Sequence, residues 1–302
     1  MTAWKRNAER LTRFGLTLLV LTVTPMTVSA RLAGDRDGTS AEWGEWNGER
    51  PNRFDVTSSY QRVDGLSLGF VYRYENRLSS VPRFRVETDY ATGRGRWLYS
   101  LSLEQPLLEK DRVRVGGGIY RLTRPFAFDD EIVGSSENSL ASFLFKEDYR
   151  EYYEGEGGFL SAAVDVTDKY RLSGQYRAED NRALANEVNW SLFDGSRFRV
   201  NPAAEPGTLR SFTITASHDS RPKDVDDGIP FIHEFRRVNR DWVRLSYETS
   251  GRSLGGDFDY GVARLDARGY WKLSPEQFLS ARIMAGQEVR GELPVQKELY
   301  AG

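Results

Sequence analysis

The chain has 302 residues, a formal net charge of −2 and no cysteine. The absence of cysteine excludes a disulfide framework and thiolate metal ligands, and the nearly balanced charge leaves no basic surface of the kind that binds nucleic acid. Aromatic residues make up 13% of the chain although its mean hydropathy is negative, a combination typical of a barrel with a polar interior and aromatic girdles outside.

The first thirty residues have the layout of a secretory signal peptide. Four Lys and Arg side chains lie between residues 5 and 13, a mostly apolar run covers 14–24, and Val28-Ser29-Ala30 is a small-residue cleavage site. A membrane anchor helix is the alternative, but the run is shorter than the ~20 apolar residues needed to span a bilayer. We predict export with residues 1–30 removed, followed by a polar, mostly irregular lead-in over 31–60.

A β-strand is predicted from Leu66 to Tyr74. Leu66, Leu68, Phe70, Tyr72 and Tyr74 alternate with small or charged residues, which places them on one face of a strand because successive side chains point to opposite faces. One apolar face that ends in tyrosines, with a polar face behind it, suits a strand between lipid and a wet lumen.

The same alternation recurs along the chain and predicts about ten or eleven strands in all. The further strands are expected around 83–90, 97–104, 113–120, 160–167, 170–177, 187–193 (weaker), 211–217, 242–248, 258–267 and 279–286. The apolar phase slips between Val262 and Leu265, which predicts a β-bulge. Spacing of three to four residues predicts one short amphipathic helix around 137–153. It would lie across a barrel mouth, or alternatively at a membrane interface or on a partner.

Alternation by itself does not separate a membrane barrel from a soluble sandwich. Strands of the roughly 9–11 residues that tilted membrane strands need, their aromatic ends and the signal peptide together favour the barrel. The fold class is therefore expected to be all-β, a transmembrane antiparallel β-barrel over residues 61–302. Its location would be the outer membrane of a Gram-negative-type bacterium, in contact with lipid.

Three patterns resemble sites that carry chemistry, but each fits a structural role better. Gly116-Gly117-Gly118 lacks the Lys-Ser/Thr and the helix of a phosphate loop. The run His218-Asp219-Ser220 cannot form a triad, because neighbours on a strand point apart; His218 and the other histidine, His233, remain the only bases for a barrel lipase. Asp224, Asp226 and Asp227 suit a turn better than a calcium site. We expect no enzyme, no metal and no cofactor.

Several stretches of the sequence resemble a known family. Four stretches are similar to barrel segments of BamA/TamA-like outer-membrane proteins, the bacterial surface antigen family, and occur in the same order: RVDGLSLGF (62–70), SFTITASHDSRPKDVDDG (211–228), 244–273 and 281–302. ENSLASFLFKEDYREYY (137–153) resembles a segment of single-barrel members. The resemblance covers about residues 61–302.

The resemblance implies a function in assembly or translocation. The first barrel strand of the family would serve as a gate, here Gly65, Leu66, Ser67, Leu68, Gly69 and Phe70, by opening laterally and pairing with an incoming strand. Partners would be unfolded outer-membrane proteins or a periplasmic assembly partner. Residues 31–60 leave no room for the family's periplasmic domains. The chain ends where the family's lid loop with its Arg-Gly-aromatic motif would begin, so a fragment of a sixteen-stranded barrel is expected.

Charged residues on the polar faces are expected to line the lumen. They are Arg73, Arg114, Asp165, Arg171, Arg177 and Arg282, with Asp165 or Glu248 as acidic partners across the lumen. A satisfied polar interior is favoured over a transport filter. A passive channel or structural barrel is the second functional hypothesis, and a barrel enzyme is the third.

Overall fold

A computed structural model describes residues 53–74, 81–108, 112–126, 134–220, 240–274 and 277–298, and the backbone of 18–24. Strands dominate this part of the chain, with one α-helix, α1 (Ser135–Phe145). In chain order the strands are β1 (Leu18–Thr24), β2 (Arg53–Gln61), β3 (Gly65–Tyr74), β4 (Arg83–Ala91), β5 (Arg96–Pro106), β6 (Val113–Pro125), β7 (Tyr152–Asp165), β8 (Tyr170–Ala183), β9 (Gly207–Asp219), β10 (Arg240–Ser250), β11 (Tyr260–Ser274) and β12 (Gln277–Gly291).

The strands form one antiparallel sheet. Eleven of them, β2 to β12, pair with their neighbours in chain order, and β1 pairs with β12, so the order is β1-β12-β11-β10-β9-β8-β7-β6-β5-β4-β3-β2. Consecutive antiparallel neighbours are what short hairpin connections produce. The sheet is not closed on itself in the part of the chain that the structure describes. The predicted all-β class and the incomplete barrel are thereby confirmed.

Strand pairing begins earlier than predicted. Residues 53–60, expected as irregular lead-in, belong to β2, so β3 is an inner strand with β2 on one side and β4 on the other. The expectation that Leu66–Tyr74 is the first strand is wrong. The cause is visible in the sequence, because Phe54, Val56 and Tyr60 alternate with polar residues, but Ser58 interrupts their apolar face.

The helix is shorter than predicted. It ends at Phe145, because Lys146 adopts a left-handed conformation (φ 59°) and its N–H bonds to Ser142 O at 3.1 Å, an arrangement that stops a helix. Tyr152 and Tyr153 begin β7 instead, opposite Pro125 and Arg124 of β6. Residues 187–193, predicted as a weak strand, carry no regular secondary structure.

The predicted bulge exists but lies at the start of β11. The register with β12 shifts between Gly261 and Val262, a few residues before the expected slip. Leu18–Thr24, which pairs with β12, falls within the segment predicted to be a signal peptide. Removal of residues 1–30 stays a prediction.

Small apolar clusters pack on the faces that are turned away from solvent. One joins Tyr120 to Phe159 on neighbouring strands. Two others include residues that follow β12: Val295 packs against Phe126, Tyr153 and Ala204, while Leu293 packs against Leu209, Tyr260 and Val262. The segment after β12 therefore folds back onto the strands.

Candidate lipid-facing surface, polar interior and gate

One face of the sheet, which we call the outward face, is apolar and exposed. On β3, Leu66, Leu68 and Phe70 are exposed while Ser67 and Val71 are buried. The same alternation gives exposed side chains on successive strands: Phe54, Val56, Trp97, Tyr99, Leu101, Leu103, Val115, Ile119, Leu160, Tyr170, Leu172, Phe212, Ile214, Leu245, Tyr247, Trp271 and Ile283. Water is an unfavourable neighbour for a continuous apolar band of this extent.

Aromatic side chains border this band at both ends of the strands. The end that carries the turns after β2, β4, β6, β8 and β10 is called the cap end. There Tyr90 and Trp97 pack with ring centroids 5.2 Å apart. At the opposite end Tyr74 stacks on Phe84 at 5.2 Å. Two such girdles are the arrangement that aromatic side chains take at the two interfaces of a membrane.

Toward the cap end the outward face turns from apolar to charged. Arg121 follows Ile119 on the same side of β6 and pairs with Glu156 of β7. Arg182 of β8 lies 3.2 Å from Glu156 and 3.2 Å from Glu154. This ion-paired row marks where the apolar band ends.

Four of the predicted lumen charges pair on the polar face, with partners on neighbouring strands. Arg114 and Arg171 both reach Asp165, at 3.0 and 2.7 Å. Arg282 pairs with Asp266 at 2.8 Å. The expected pairing across the lumen is therefore replaced by pairing along the wall, because adjacent strands bring these side chains closest.

The two remaining predicted charges have different surroundings. Arg177 is buried and donates to Gln175 Oε1 at 3.1 Å, and Arg73 lies opposite Arg85 of β4. Glu248, predicted as an acidic partner, binds Arg264 at 2.9 Å and Lys297 at 3.0 Å and accepts a bond from the Tyr260 hydroxyl.

Lys297 belongs to the segment after β12 and is buried. Burial lowers the pKa of Lys297, and the Glu248 carboxylate acts in the opposite direction. The ion pair attaches this segment to β10, a contact that no sequence pattern signalled.

A buried polar hub at the cap end was not predicted from the sequence. Arg62, in the turn between β2 and β3, is completely buried and lies 3.3 Å from Asp148 and 2.6 Å from Glu151. Its guanidinium also donates to Asn201 Oδ1 at 3.2 Å and lies over the Tyr152 ring. Asp148 and Glu151 follow α1 and Asn201 follows β8, so Arg62 joins the β2–β3 turn to both of these segments.

Asp64 lies in the same turn and is also completely buried. Its carboxylate contacts Arg94 Nε at 2.6 Å and accepts a bond from Gln61 Nε2 at 2.6 Å. Burial raises the pKa of Asp64, while Arg94, Thr123 and Gln61 act to lower it. Both charged residues of the stretch RVDGLSLGF, Arg62 and Asp64, therefore take part in buried ion pairs.

The candidate gate residues, Gly65 to Phe70, lie in β3; all six pair with β2, and Ser67 to Phe70 also pair with β4. Leu66, Leu68 and Phe70 face outward, whereas Ser67 is buried on the other face. In the described part of the chain, β2 lies at one end of the sheet and β1 at the other. A gate at this end of the sheet would therefore open at β2, with β3 behind it.

The histidine and aspartate candidates form no catalytic or metal site in the described ranges. His218 Nε2 lies 3.0 Å from Asp241, and Ser220 Oγ contacts the same carboxylate at 2.7 Å. Since both groups bind one acid, they do not form a relay. His233, Asp224, Asp226 and Asp227 lie outside the described residues. Among the residues that the structure covers, no three His, Cys, Asp or Glu cluster as metal ligands do.

Within the described chain, no α-helix has the length and apolar character required to cross a membrane.

Comparison with models of known protein families assigns the chain to one family. A model of the C-terminal domain of a family of unknown function, DUF5686, matches residues 45–221, which is more than half of the chain. The chain belongs to this family. A search of curated proteins found no match.

Two solved structures show how the DUF5686 domain compares with known barrels. BamA from Haemophilus ducreyi lacking POTRA domains 1–3 has 14% identity and a TM-score of 0.46; the match covers 99% of this chain and 51% of that one. The chain thus spans about half the length of that structure. The NanC porin has 9% identity and a TM-score of 0.27, with 78% of this chain and 99% of the porin covered.

Proposed function

We propose that this DUF5686 domain forms the wall of an outer-membrane β-barrel and takes part in the insertion or secretion of outer-membrane polypeptides. The single observation that carries the membrane location is the outward face, an exposed apolar band between two aromatic girdles. Lipid is the neighbour that such a band requires. Export by a signal peptide over residues 1–30 is part of the proposal, and intact-mass measurement of the purified protein tests it by the loss of those residues.

The proposed insertion activity rests on β2, which lies at one end of the described sheet. Tyr60 N–H donates to Ser139 Oγ of α1 at 2.7 Å, so this backbone group points away from β3. Because the direction of bonding alternates along an antiparallel strand, the backbone of Ser58, Val56 and Phe54 points the same way. An extended segment of a client protein would add to this edge by main-chain hydrogen bonds.

Crosslinking at β2 tests the insertion activity. A photo-crosslinking amino acid at Val56, which is 76% exposed, should capture newly exported outer-membrane polypeptide in living cells. The same probe at Leu160, equally outward but in the inner strand β7, is the matched control and should capture none. Equal capture at both positions, or none at Val56, contradicts edge pairing.

A passive channel is the second candidate, because the inward faces carry charged pairs such as Arg114–Asp165 and Arg282–Asp266. A polar, charged lining is typical of a water-filled lumen. Steady ion conductance of the purified protein in planar bilayers, without capture of polypeptide at Val56, would favour this alternative. Neither candidate involves a catalytic step, and we propose no enzymatic activity.

A further inference from the structure

We propose that α1 and residues 190–193 form an anchor that rests in the lipid headgroup layer beside the barrel wall. We call these two elements the rim anchor. The inference rests on the proposed function, since it requires that lipid surround the outward face.

The rim anchor lies over the outward face rather than over the barrel mouth. Tyr60 pairs in register with Leu66, and side chains opposite each other in a ladder share a face, so Tyr60 points outward with Leu66. The ring of Tyr60 packs against Phe143 at 5.6 Å and Trp190 at 6.3 Å. Its hydroxyl donates to Trp190 O at 2.6 Å. These contacts place both elements on the outward side of β2.

The surface that the rim anchor turns away from the sheet is mostly apolar, with the charged Glu137 exposed in the first turn of α1. Phe193 is 68% exposed and Trp190 is 53% exposed, and Phe145 lies against Phe193 with ring centroids 5.9 Å apart. Leu140 and Leu192 are exposed as well. Contiguous exposed apolar side chains mark an interaction surface, and the polar residues of α1 that are buried, Asn138 and Ser142, do not contribute to it.

The backbone of the rim anchor is suited to a lipid environment. Leu192 N–H donates to Phe143 O at 2.9 Å, and Phe193 N–H donates to Leu144 O at 3.0 Å. These bonds satisfy carbonyl groups near the C-terminus of α1, which an isolated helix leaves open. In lipid an unsatisfied backbone group costs several kcal/mol, so this pairing removes a barrier to insertion.

The composition of the rim anchor fits the lipid headgroup layer better than the hydrocarbon core of the bilayer. The patch continues the outward apolar band that begins at Leu66 and Leu68, but the chain directly beyond Phe193 is polar, with Ser196 and Arg197 exposed. An apolar surface with a charged border, rich in Trp and Phe, is the composition of elements that lie ~5–10 Å deep at the headgroup boundary. A second copy of the chain or another protein would be the competing occupant.

Single-cysteine labelling tests the proposal, because the natural chain has no cysteine. Phe193→Cys reports on the rim anchor, Arg197→Cys is the water-exposed control four residues away, and Leu68→Cys is the control on the membrane-facing strand. Each variant is labelled with the fluorophore NBD in the full chain and reconstituted into phosphatidylcholine vesicles. Doxyl lipids and aqueous iodide serve as quenchers. Phe193 is mostly exposed, so its replacement leaves the packing on Tyr60 in place.

The label at position 193 should lose fluorescence to a shallow doxyl lipid and resist iodide, whereas the label at 197 should be quenched by iodide. Iodide quenching at 193 equal to that at 197 overturns the inference, and so does protection at 193 from both quenchers, which would mean a protein occupant. In either case a label at position 68 that is quenched by doxyl lipid leaves the barrel proposal standing. Iodide quenching at 68 would overturn the barrel proposal and the inference with it.

Discussion

The hydroxyl of Thr57 donates a 2.9 Å hydrogen bond to the Asp89 carboxylate across β3, a strand to which neither residue belongs. The two residues sit on β2 and β4 and both pair in register with Gly69. A Cβ at Gly69 would lie 1.9 Å from Thr88 O and 2.3 Å from Asp89 Oδ1. Gly69 therefore lets the carboxylate cross its strand and hold the edge strand in place.

Replacing Gly69 by alanine should destabilise the protein. The added methyl group collides with backbone, so β3 and β4 must separate, and overpacking of this kind costs about 1–3 kcal/mol. The expected result is a lower urea midpoint for the protein refolded in detergent micelles, and release of the Thr57–Asp89 bond.

Gly195→Ala is the matched control for Gly69→Ala. Gly195 is exposed and a Cβ there would meet no atom within 4 Å, so this variant should be neutral or slightly more stable. If Gly69→Ala is as stable as Gly195→Ala, the close approach at Gly69 does not constrain the sheet.

The Arg62–Asp148 pair should contribute strongly to stability. Both side chains are completely buried, and removing one member of such a pair leaves an uncompensated charge that costs about 3–5 kcal/mol. Asp148→Ala should therefore lower the free energy of unfolding by about that amount. The measurement is urea unfolding in detergent, with trypsin cleavage within residues 146–151 and 184–206 at the cap end as a second readout.

Asp259→Ala provides the comparison for the buried pair. Asp259 lies 2.8 Å from Arg290, but both side chains are more than half exposed, and exposed pairs contribute about 0–1 kcal/mol. A loss at Asp148 no larger than the loss at Asp259 would show that the Arg62 hub does not hold the cap end together.

The stability of a variant with a charge on the outward face should show whether lipid or water surrounds that face. Leu160 is 68% exposed, so Leu160→Arg should be nearly neutral if this face meets water. In a bilayer, arginine on the lipid face costs about 2–4 kcal/mol near the midplane. We expect a clear loss of stability in vesicles for Leu160→Arg and little change for Ala183→Arg, which lies exposed at the cap end of β8. Equal effects would argue against a lipid-facing band.

The pH dependence of stability should carry a contribution from Asp64. Burial raises its pKa above the ordinary value of 3.8, so just above pH 3.8 the folded protein holds more of this proton than the unfolded chain does. Stability from this group is complete below about pH 3.8 and falls as the pH rises through the raised pKa. Asp64→Asn cannot titrate, so the stability of the natural protein relative to this variant should decrease as the pH rises above about 4. A constant difference would contradict the shift.

The strands were predictable wherever one face meets solvent or lipid and the other does not. Alternation of period two located β3, β5, β8 and β12, because each residue of a strand reports directly on the environment of its own face. The same local logic failed at β2, whose outward face is interrupted by Ser58, and at Tyr152 and Tyr153, whose spacing also suits a helix.

The sequence by itself determined the all-β class and the apolar and polar faces, since these follow from patterns that span only a few residues. Only the tertiary structure decided that β2 forms one end of the sheet, that Arg62 binds Asp148 and Glu151, and that Lys297 binds Glu248. Those pairs join residues that are distant in sequence. Their partners depend on how the connections fold against one another, and neither composition nor periodicity carries that information.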